Sequence, residues 1–178
     1  MENVQYRELT EPEIARPLFA HFERRQEVTR CWRKIDGEWV IRDDPFIDQW
    51  GEAEYAFLVD CLRNTVRTGG VVYAAFVQGQ LKGFASVEAR PLGRRKNLLD
   101  LTSIHVSAEC RGRGIGRELF RRAAGWARIH GAEKLYISAH SAVETQAFYR
   151  SMGCVEAQEV LPEHAEKETF DCQLEYRL

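Results

Sequence analysis

The chain has 178 residues, with 25 Lys and Arg against 27 Asp and Glu, so its formal net charge is −2. Charges this balanced exclude a polybasic surface for nucleic acid or acidic lipid, and we expect neither nucleic acid nor a membrane as a partner. The length predicts a single domain over residues 1–178.

Targeting signals and cysteine pairs are missing from the sequence. No apolar run approaches the ~18–20 residues that span a bilayer, and the N-terminus lacks a signal-peptide pattern, so we expect a cytoplasmic protein. The five cysteines are scattered without a Cys-x-x-Cys pair. This spacing predicts free thiols, no disulfide framework and no metal site.

The first seventy residues combine helical spacing with many aromatic and charged residues. The apolar spacing predicts a helix over Pro12 to Arg30 and another over Phe46 to Thr68, closed by Gly69-Gly70. Between them, Trp32 to Ile41 alternates around Asp36-Gly37, which predicts a hairpin.

After Gly70 the pattern changes to short strands and two helices. Val71 to Val77 and Leu81 to Glu88 flank Gln78-Gly79-Gln80, which predicts a second hairpin. The elements that follow are a strand over Leu98 to Val106, a helix over Gly114 to about His130, a strand over Leu135 to Ala139, a helix over Val143 to Met152, and strands over Val155 to Val160 and Thr169 to Leu178 separated by a charged loop around Pro162. The order predicts a mixed α/β fold.

A glycine-rich loop, Arg111 to Gly116, lies directly between a predicted strand and an amphipathic helix. Glycines let a ligand approach the backbone, and the free N–H groups and dipole of a helix start attract anions, so the loop suits a diphosphate. It is not a Walker loop, because Arg117 and Glu118 follow Gly116 where Lys and Ser/Thr are required. Its glycine spacing also differs from the dinucleotide fingerprint.

Two motifs in register carry a family resemblance. Arg111, Gly114 and Gly116 match the signature Gln/Arg-x-x-Gly-x-Gly/Ala, and a second segment, Gln146 to Cys154, ends in a Phe-Tyr-x-x-x-Gly motif with Cys154 where Phe is commoner. Together they resemble the GNAT superfamily of acyl-CoA-dependent N-acetyltransferases. The resemblance covers roughly Val71 to Glu156.

The resemblance implies one domain whose mostly antiparallel sheet of six or seven strands, flanked by about four helices, splays open where acetyl-CoA binds as co-substrate. The opening would lie between Leu98 to Val106 and Leu135 to Ala139. The implied cofactor-binding residues are Ile104, His105 and Val106 beside the pantetheine arm, Arg111, Gly112, Arg113, Gly114, Ile115, Gly116 and Arg117 at the pyrophosphate, and Ser141, where many relatives have Asn. Ser141 could instead be a helix N-cap, with Glu144 completing a capping box.

Catalytic roles also follow from the resemblance. Tyr149 would protonate the departing thiolate, which a phenol of pKa ~10 can do. Asp100, or Glu88 on the preceding strand, would be the base that deprotonates the amine, and a mechanism without a side-chain base stays open.

Strict alternation would place Asp100, Thr102 and Ile104 on one strand face, with Leu99, Leu101, Ser103 and His105 on the other.

We expect acceptor binding in residues 1–70 and acyl-CoA binding in residues 71–178. Four aromatic residues interleaved with five acids suit a cationic amine or, equally, simple packing against the sheet: Trp32, Trp39, Trp50 and Tyr55 with Asp43, Asp44, Asp48, Glu52 and Glu54.

The predicted function is direct transfer of an acetyl or short acyl group from acyl-CoA to a small-molecule amine. The alternatives are a non-catalytic acyl-CoA-binding module and an acetyltransferase for protein or tRNA-linked amines; a homodimer is left open.

Overall fold

A seven-stranded sheet, in the order β1-β4-β5-β6-β7-β9-β8, forms the frame of the molecule, and a separate two-stranded hairpin, β2-β3, lies beside it. The structure is a computed structural model that describes residues 3–178; Met1 and Glu2 lie outside the described residues. The strands are β1 Val4–Glu8, β2 Arg25–Ile35, β3 Glu38–Gln49, β4 Val71–Val77, β5 Gln80–Val87, β6 Leu98–Val106, β7 Lys134–Ala139, β8 Val155–Glu156 and β9 Cys172–Arg177. The helices are α1 Glu52–Arg67, α2 Ile115–Ile129, α3 Val143–Met152 and the four-residue α4 Pro162–Ala165. The mixed α/β fold, the seven-stranded main sheet and the four helices confirm the expected architecture.

The parallel strands β6 and β7 pair only at their beginnings. Leu98, Leu99 and Asp100 pair with Lys134, Leu135 and Tyr136, and no further pairs join these strands within residues 3–178. The remaining six residues of β6 therefore diverge from the end of β7. The sheet thus opens between the same two strands that the family resemblance implies.

Helices α1 and α2 lie on opposite faces of the sheet. On one face, α2 packs over β4, β5 and β6, and its approach is close because Gly83 of β5 has no side chain: a Cβ there would lie 2.8 Å from Cγ2 of Ile115. On the other face, α1 packs with Phe19, Phe22 and Phe84. The two apolar clusters fix these two helices on the two faces of the sheet.

A β-bulge at Thr102 changes which way the side chains of β6 point. Ser86 pairs with Ser103 and the next residue, Val87, pairs with Leu101, so Thr102 is the extra residue. Leu101 and Ile104 consequently both contact the α2 side of the core, while His105 contacts Phe84 on the opposite side. The expected face shared by Asp100, Thr102 and Ile104 is therefore wrong, because a bulge interrupts the alternation on which it was based.

The N-terminal region differs most from its prediction. Pro12 to Arg30 is not a helix: it forms two short 3₁₀ turns, Glu11–Glu13 and Arg16–Phe19, and then enters β2 at Arg25. Its helically spaced apolar residues are buried by tertiary contacts with Phe84 and Tyr55 rather than by a helix face.

The first hairpin is confirmed but longer than expected. Its turn is Asp36-Gly37, with φ values of 51° and 84°. Its second strand runs to Gln49, so the helix predicted from Phe46 starts only at Glu52.

The C-terminal elements follow the prediction more closely. Strand β6 and helix α3 have the predicted bounds, and Gly153 ends α3 with φ 95°. The tail strands are shorter than expected, at Val155–Glu156 and Cys172–Arg177, and the charged loop between them contains α4. In the described part of the chain, no helix has the length and apolar character needed to cross a membrane.

Candidate active site

An open cleft of about 1670 Å³ occupies the splay between β6 and β7. The glycine loop forms one end, and residues of α3, α1 and the segment before β9 form the rest. Of the expected site residues, the lining includes Glu88, Asp100, Ile104, His105, Val106, Arg111, Gly112, Gly114, Ile115, Gly116, Arg117 and Tyr149. One cavity thus brings nearly all of them together.

The glycine loop has the geometry of an anion cradle. Gly112 and Gly114 have φ values of 75° and 81°, and a Cβ at either position would meet no atom within 4 Å. The first amide to bond back to this loop is that of Glu118, which donates to the carbonyl of Gly114 at 3.1 Å. The amides between Gly114 and Glu118 therefore precede the first helical bond and remain available to an anion.

The arginines of the loop differ in placement. The Arg111 side chain folds back, with Nε donating to the carbonyl of Val106 at 3.2 Å. Arg117 lines the cleft, whereas Arg113 is exposed and lies outside the lining. Arg111 thus ties the loop to the end of β6, and Arg117 is the more open positive charge.

Tyr149 stands in the wall of the cleft on α3. Only 7% of the residue is exposed, and its ring contacts that of Phe148 at 5.3 Å. Burial, with smaller contributions from Cys154 and Asp171, raises the pKa of the phenol above its usual range. The hydroxyl therefore stays protonated at neutral pH, as a proton donor must.

The two candidate bases lie in the cleft with different partners. Glu88 accepts a hydrogen bond from the hydroxyl of Thr65 on α1. Asp100 is buried, and its Oδ2 lies 2.6 Å from Nε2 of His164. Only Asp100 is therefore coupled to a second titratable group.

His164 is a site residue that the sequence analysis did not find. It lies on α4, which begins at Pro162, and lines the same cleft. The hydrogen bond with Asp100 raises its pKa above the ordinary value, against the opposing effect of burial. The proline that starts α4 is visible in the sequence. Nothing in the sequence indicates that the histidine two residues later would contact Asp100, which lies 64 positions earlier.

His105 sits in the cleft as a neutral ring. It packs against Trp50 and Phe84, with ring centroids at 4.8 and 5.4 Å. Burial and the positive charges of Arg24 and Arg111 lower its pKa to about 3. Such a ring has little capacity to act as a base at neutral pH.

Arg24 is a second residue that the sequence analysis missed. Its guanidinium is nearly buried, donates to Asp48 at 2.6 Å and lies 5.3 Å from the ring of Trp50. Its Nε and Nη1 have no hydrogen-bond partner among the described residues. Arg24 therefore adds buried positive charge near Arg111.

Ser141 does not reach the cleft. It is buried and turned toward the first hairpin, where its hydroxyl accepts a hydrogen bond from Arg33 at 2.6 Å and its carbonyl accepts one from the Trp32 amide at 2.8 Å. The N-cap of α3 is Ala142, so the capping box of Ser141 with Glu144 is not formed either.

The acid and aromatic set of the N-terminal region divides in two. Asp48, Trp50 and Glu54 line the cleft. Five others serve packing or ion pairs: Trp32 and Trp39 pack against the main core, Tyr55 is buried in the cluster around α1, Asp44 pairs with Arg33, and Glu52 pairs with Arg16. Asp43 is exposed on β3.

The charged side chains of the cleft are unevenly distributed. Its three arginines, Arg24, Arg111 and Arg117, lie just before β2, in the glycine loop and on the first turn of α2. Five carboxylates, with Lys167 among them, lie directly after β5, on β6 and in the segment between β8 and β9: Glu88, Asp100, Glu163, Glu168 and Asp171. Four more carboxylates line the rest of the cleft, namely Glu27, Asp48, Glu54 and Glu144, and Asp48 pairs with Arg24. One end of the cleft suits an anion, and the other suits a cation.

Comparisons with known proteins agree with this geometry. A model of the acetyltransferase (GNAT) family matches residues 35–154. Streptothricin acetyltransferase of Streptomyces lavendulae is 39% identical over 82 residues, which make up 45% of this chain and 41% of that protein. The matched segment thus spans less than half the length of that relative.

Solved structures show the same fold over nearly the whole chain. Nourseothricin acetyltransferase superposes with a TM-score of 0.71 at 17% identity, covering 98% of both chains. A Bacillus anthracis str. Ames protein, provisionally assigned as a streptothricin acetyltransferase and bound to acetyl coenzyme A, superposes with a TM-score of 0.74 at 15% identity, covering 99% of both. Because the family match spans more than half of the residues, the chain belongs to the GNAT family of acetyltransferases.

Proposed function

We propose that the protein transfers an acetyl group from acetyl-CoA to a primary amine of a cationic small molecule, directly and within a ternary complex. The observation that carries this proposal is the single cleft at the splay, which joins an anion cradle, a buried protonated phenol and a buried carboxylate.

The donor half of the site fits acetyl-CoA. The open space above Gly112 and Gly114 leaves room for a pyrophosphate against backbone amides, and Arg111 and Arg117 supply local positive charge. The backbone of Ile104 and His105, beyond the last pair with β7, can bond the pantetheine arm on that side, next to Val106, whose carbonyl accepts a hydrogen bond from Arg111. A structural neighbour of the same fold binds acetyl coenzyme A, which supports acetyl-CoA as the donor.

The chemistry needs one base and one acid. The acceptor ammonium must lose a proton to a base, for which Asp100 is the better placed carboxylate and Glu88 the second candidate. The amine nitrogen then forms a bond to the thioester carbon, the carbon–sulfur bond breaks, and Tyr149 donates its proton to the thiolate. The second proton lost from the nitrogen restores the Tyr149 phenol. The proposal includes no acyl-cysteine: Cys110 borders the cleft, but only 4% of it is exposed and it packs in the main core.

The acceptor is proposed to be a cationic amine because of the carboxylates at the far end of the cleft. Asp48, Glu54 and Trp50 from residues 1–70 border the same space. The names of the streptothricin and nourseothricin acetyltransferases support a small-molecule acceptor.

A panel of primary amines with acetyl-CoA, monitored by release of free thiol, tests the function. The panel is run with wild type and Gly114→Asp, which places charge and bulk at the cradle and is expected to weaken acetyl-CoA binding by roughly tenfold or more in calorimetry. Gly131→Asp is the matched control, because Gly131 also has φ 81° and open space, but lies at the other end of α2.

Two results would contradict the proposal. Equal acetyl-CoA affinity in wild type and Gly114→Asp would remove the glycine loop as the phosphate site. Tight binding without thiol release for any amine would indicate a non-catalytic acyl-CoA-binding module.

A further inference from the structure

Asp100 and His164 form the one contact in the cleft, among the described residues, that joins a buried carboxylate to an imidazole. The 2.6 Å contact between Oδ2 and Nε2 is shielded, with 9% of the Asp100 side chain and 20% of the His164 side chain exposed. Because Nε2 faces a carboxylate, it carries a hydrogen and donates it, which leaves the lone pair of the neutral ring on Nδ1. That Nδ1 is buried and has no hydrogen-bond partner in the described structure.

The fold holds both partners rigidly. Asp100 is the last residue of β6 that pairs with β7, opposite Tyr136. The hydroxyl of Tyr136 accepts a hydrogen bond from the Leu161 amide at 3.1 Å, and its ring packs edge-on against His164 at 5.2 Å. Tyr136 therefore anchors α4 so that His164 is directed onto Asp100.

The charged groups around the pair favour a proton on it. His164 is surrounded by Asp100 from β6, Glu163 and Lys167 from its own segment, and the phenol of Tyr136 from β7. Glu159 is close enough to act on Tyr136, and Glu88 is held by Thr65. Apart from Lys167, the charged groups are carboxylates, and the hydrogen bond to Asp100 is the largest effect on the pKa of His164, which is raised.

We propose that Asp100 and His164 act together as the base of the transfer, with Asp100 positioning the imidazole and His164 holding the proton. This inference rests on the proposed acetyltransferase function. An N–H bond of the acceptor ammonium breaks, and the proton bonds to Nδ1 of His164, so the pair changes from carboxylate plus neutral imidazole to carboxylate plus imidazolium. The neutral amine then attacks the thioester carbon, and the carbon–sulfur bond breaks as Tyr149 protonates the leaving thiolate. The second proton lost from the nitrogen restores the Tyr149 phenol.

The pair suits this task better than an isolated carboxylate. An ordinary aspartate titrates near ~3.9, far below the pKa of ~10 of an alkyl ammonium, whereas a base is most effective when its pKa lies near the working pH. The imidazole supplies that intermediate pKa, and the buried carboxylate stabilises the imidazolium as it forms.

The test is the pH dependence of kcat/KM for the best amine of the panel, in wild type and His164→Gln. The glutamine amide can still donate to Asp100 but cannot titrate. We expect an acidic limb in wild type with an apparent pKa above 6.5, and we expect His164→Gln to lose this limb and between about ten- and a thousandfold of kcat/KM at pH 7.5. Asp100→Asn should move the limb to lower pH, since the carboxylate that raises the pKa of His164 is gone.

His130→Gln is the matched control, because His130 lies at the end of α2, stacked on Trp126 and outside the cleft. It should retain the wild-type profile. Acetyl-CoA affinity by calorimetry should stay unchanged in His164→Gln if the fold is intact. If this variant does not fold, NMR titration of the His164 ring in wild type replaces it, and its pKa must agree with that of the kinetic limb.

The possible failures are distinguishable. An active wild type whose acidic limb persists in His164→Gln, or differs from the titration of His164 by more than about half a pH unit, would overturn the role of the pair alone. A wild type that binds acetyl-CoA but releases no thiol with any amine would overturn the proposed function and the inference with it.

Discussion

His105 and His164 line the same cleft, yet their pKa values are displaced in opposite directions. His105 lies among apolar rings with Arg24 and Arg111 nearby, and its pKa falls to about 3. His164 faces the Asp100 carboxylate, and its pKa rises. The neighbours of each ring, rather than burial alone, therefore decide its charge at neutral pH.

The shift of His105 predicts a loss of stability in acid. In the unfolded chain its pKa returns to about 6.5, so unfolding takes up a proton below that pH, and stability is lost as pH falls from 6.5 toward the folded value of about 3. Between pH 7.5 and 5.5 this loss amounts to about 1.4 kcal/mol. Urea unfolding at both values should show it in wild type and not in His105→Gln.

The pKa of His164 is shifted in the opposite direction from that of His105, so its effect on stability depends on pH with the opposite sign. Because its folded pKa is raised, its contribution to stability is complete below about pH 6.5 and is lost as pH rises through the folded pKa. His164→Gln should therefore cost more stability at pH 5.5 than at pH 8.5. An equal cost at both values would contradict the assigned shift.

Tyr149 provides a residue-scale test of the chemistry. Tyr149→Phe removes one hydroxyl in the cleft wall and leaves the ring contact with Phe148, so acetyl-CoA binding should persist while kcat falls by about a hundredfold, as loss of a general acid predicts. Calorimetry and thiol release measure the two effects. Tyr176→Phe, on a residue that packs against Phe120 outside the cleft, is the control; unchanged turnover in Tyr149→Phe would remove this tyrosine from the mechanism.

At the scale of elements, the position of α2 depends on the absence of a side chain at Gly83. A Cβ there would lie 2.8 Å from Ile115 and 3.0 Å from Leu119, both on the first turns of α2. Since Ile115 follows the glycine loop directly, a helix displaced by this contact would also displace the phosphate cradle. Packing of the sheet and binding of the donor are therefore coupled through one glycine.

Gly83→Ala should destabilise the fold by about 1–3 kcal/mol, the usual cost of overpacking a core, and should weaken acetyl-CoA binding as well. Gly125→Ala, the same change on α2 where a Cβ meets no atom within 4 Å, should instead be neutral or stabilising by up to about 1 kcal/mol. Thermal unfolding and calorimetry compare the two. Full stability in Gly83→Ala would show that α2 can shift at no cost.

Elements with a local signal could be predicted, and those decided by tertiary contact could not. The turn at Gln78-Gly79, with both φ values positive, and the strand-loop-helix around Gly114 are determined by neighbouring residues. The bulge at Thr102 depends on the partner strand β5, and the pairing of Asp100 with His164 joins residues that are 64 positions apart. The expected helix over Pro12 to Arg30 failed for the same reason, because Phe84 and Tyr55 bury its apolar residues without a helix.

In the whole molecule, the first hairpin reconnects the two halves of the sheet that the splay separates. Just before β2, Glu23 bonds both Ser107 and Ala108 at the end of β6. Farther along β2, Trp32 bonds Ser141 after β7, at 2.8 Å. The hairpin therefore spans the opening from one half of the sheet to the other, beside the cleft in which we propose that the acceptor binds.

The charges of the cleft also act at this scale, within a chain of net charge −2. Arginines near the glycine loop would attract the phosphates of the donor, and carboxylates such as Glu163 and Glu168 would attract a cationic acceptor. Both attractions involve solvent-accessible charges in an open cleft, so dissolved ions should screen them. At 0.1 M salt the screening length is ~10 Å, so charges farther than this from a ligand contribute little.

The ionic strength should therefore affect binding more than chemistry. Raising NaCl from 0.05 to 0.5 M should increase KM for a diamine several-fold, and more than KM for a monoamine of similar size, while kcat changes little. Glu163→Gln with Glu168→Gln should reproduce the high-salt KM at low salt and reduce its salt dependence. A diamine KM that is independent of salt in wild type would show that the carboxylates do not attract the acceptor, and would place its recognition on Trp50 and the apolar wall instead.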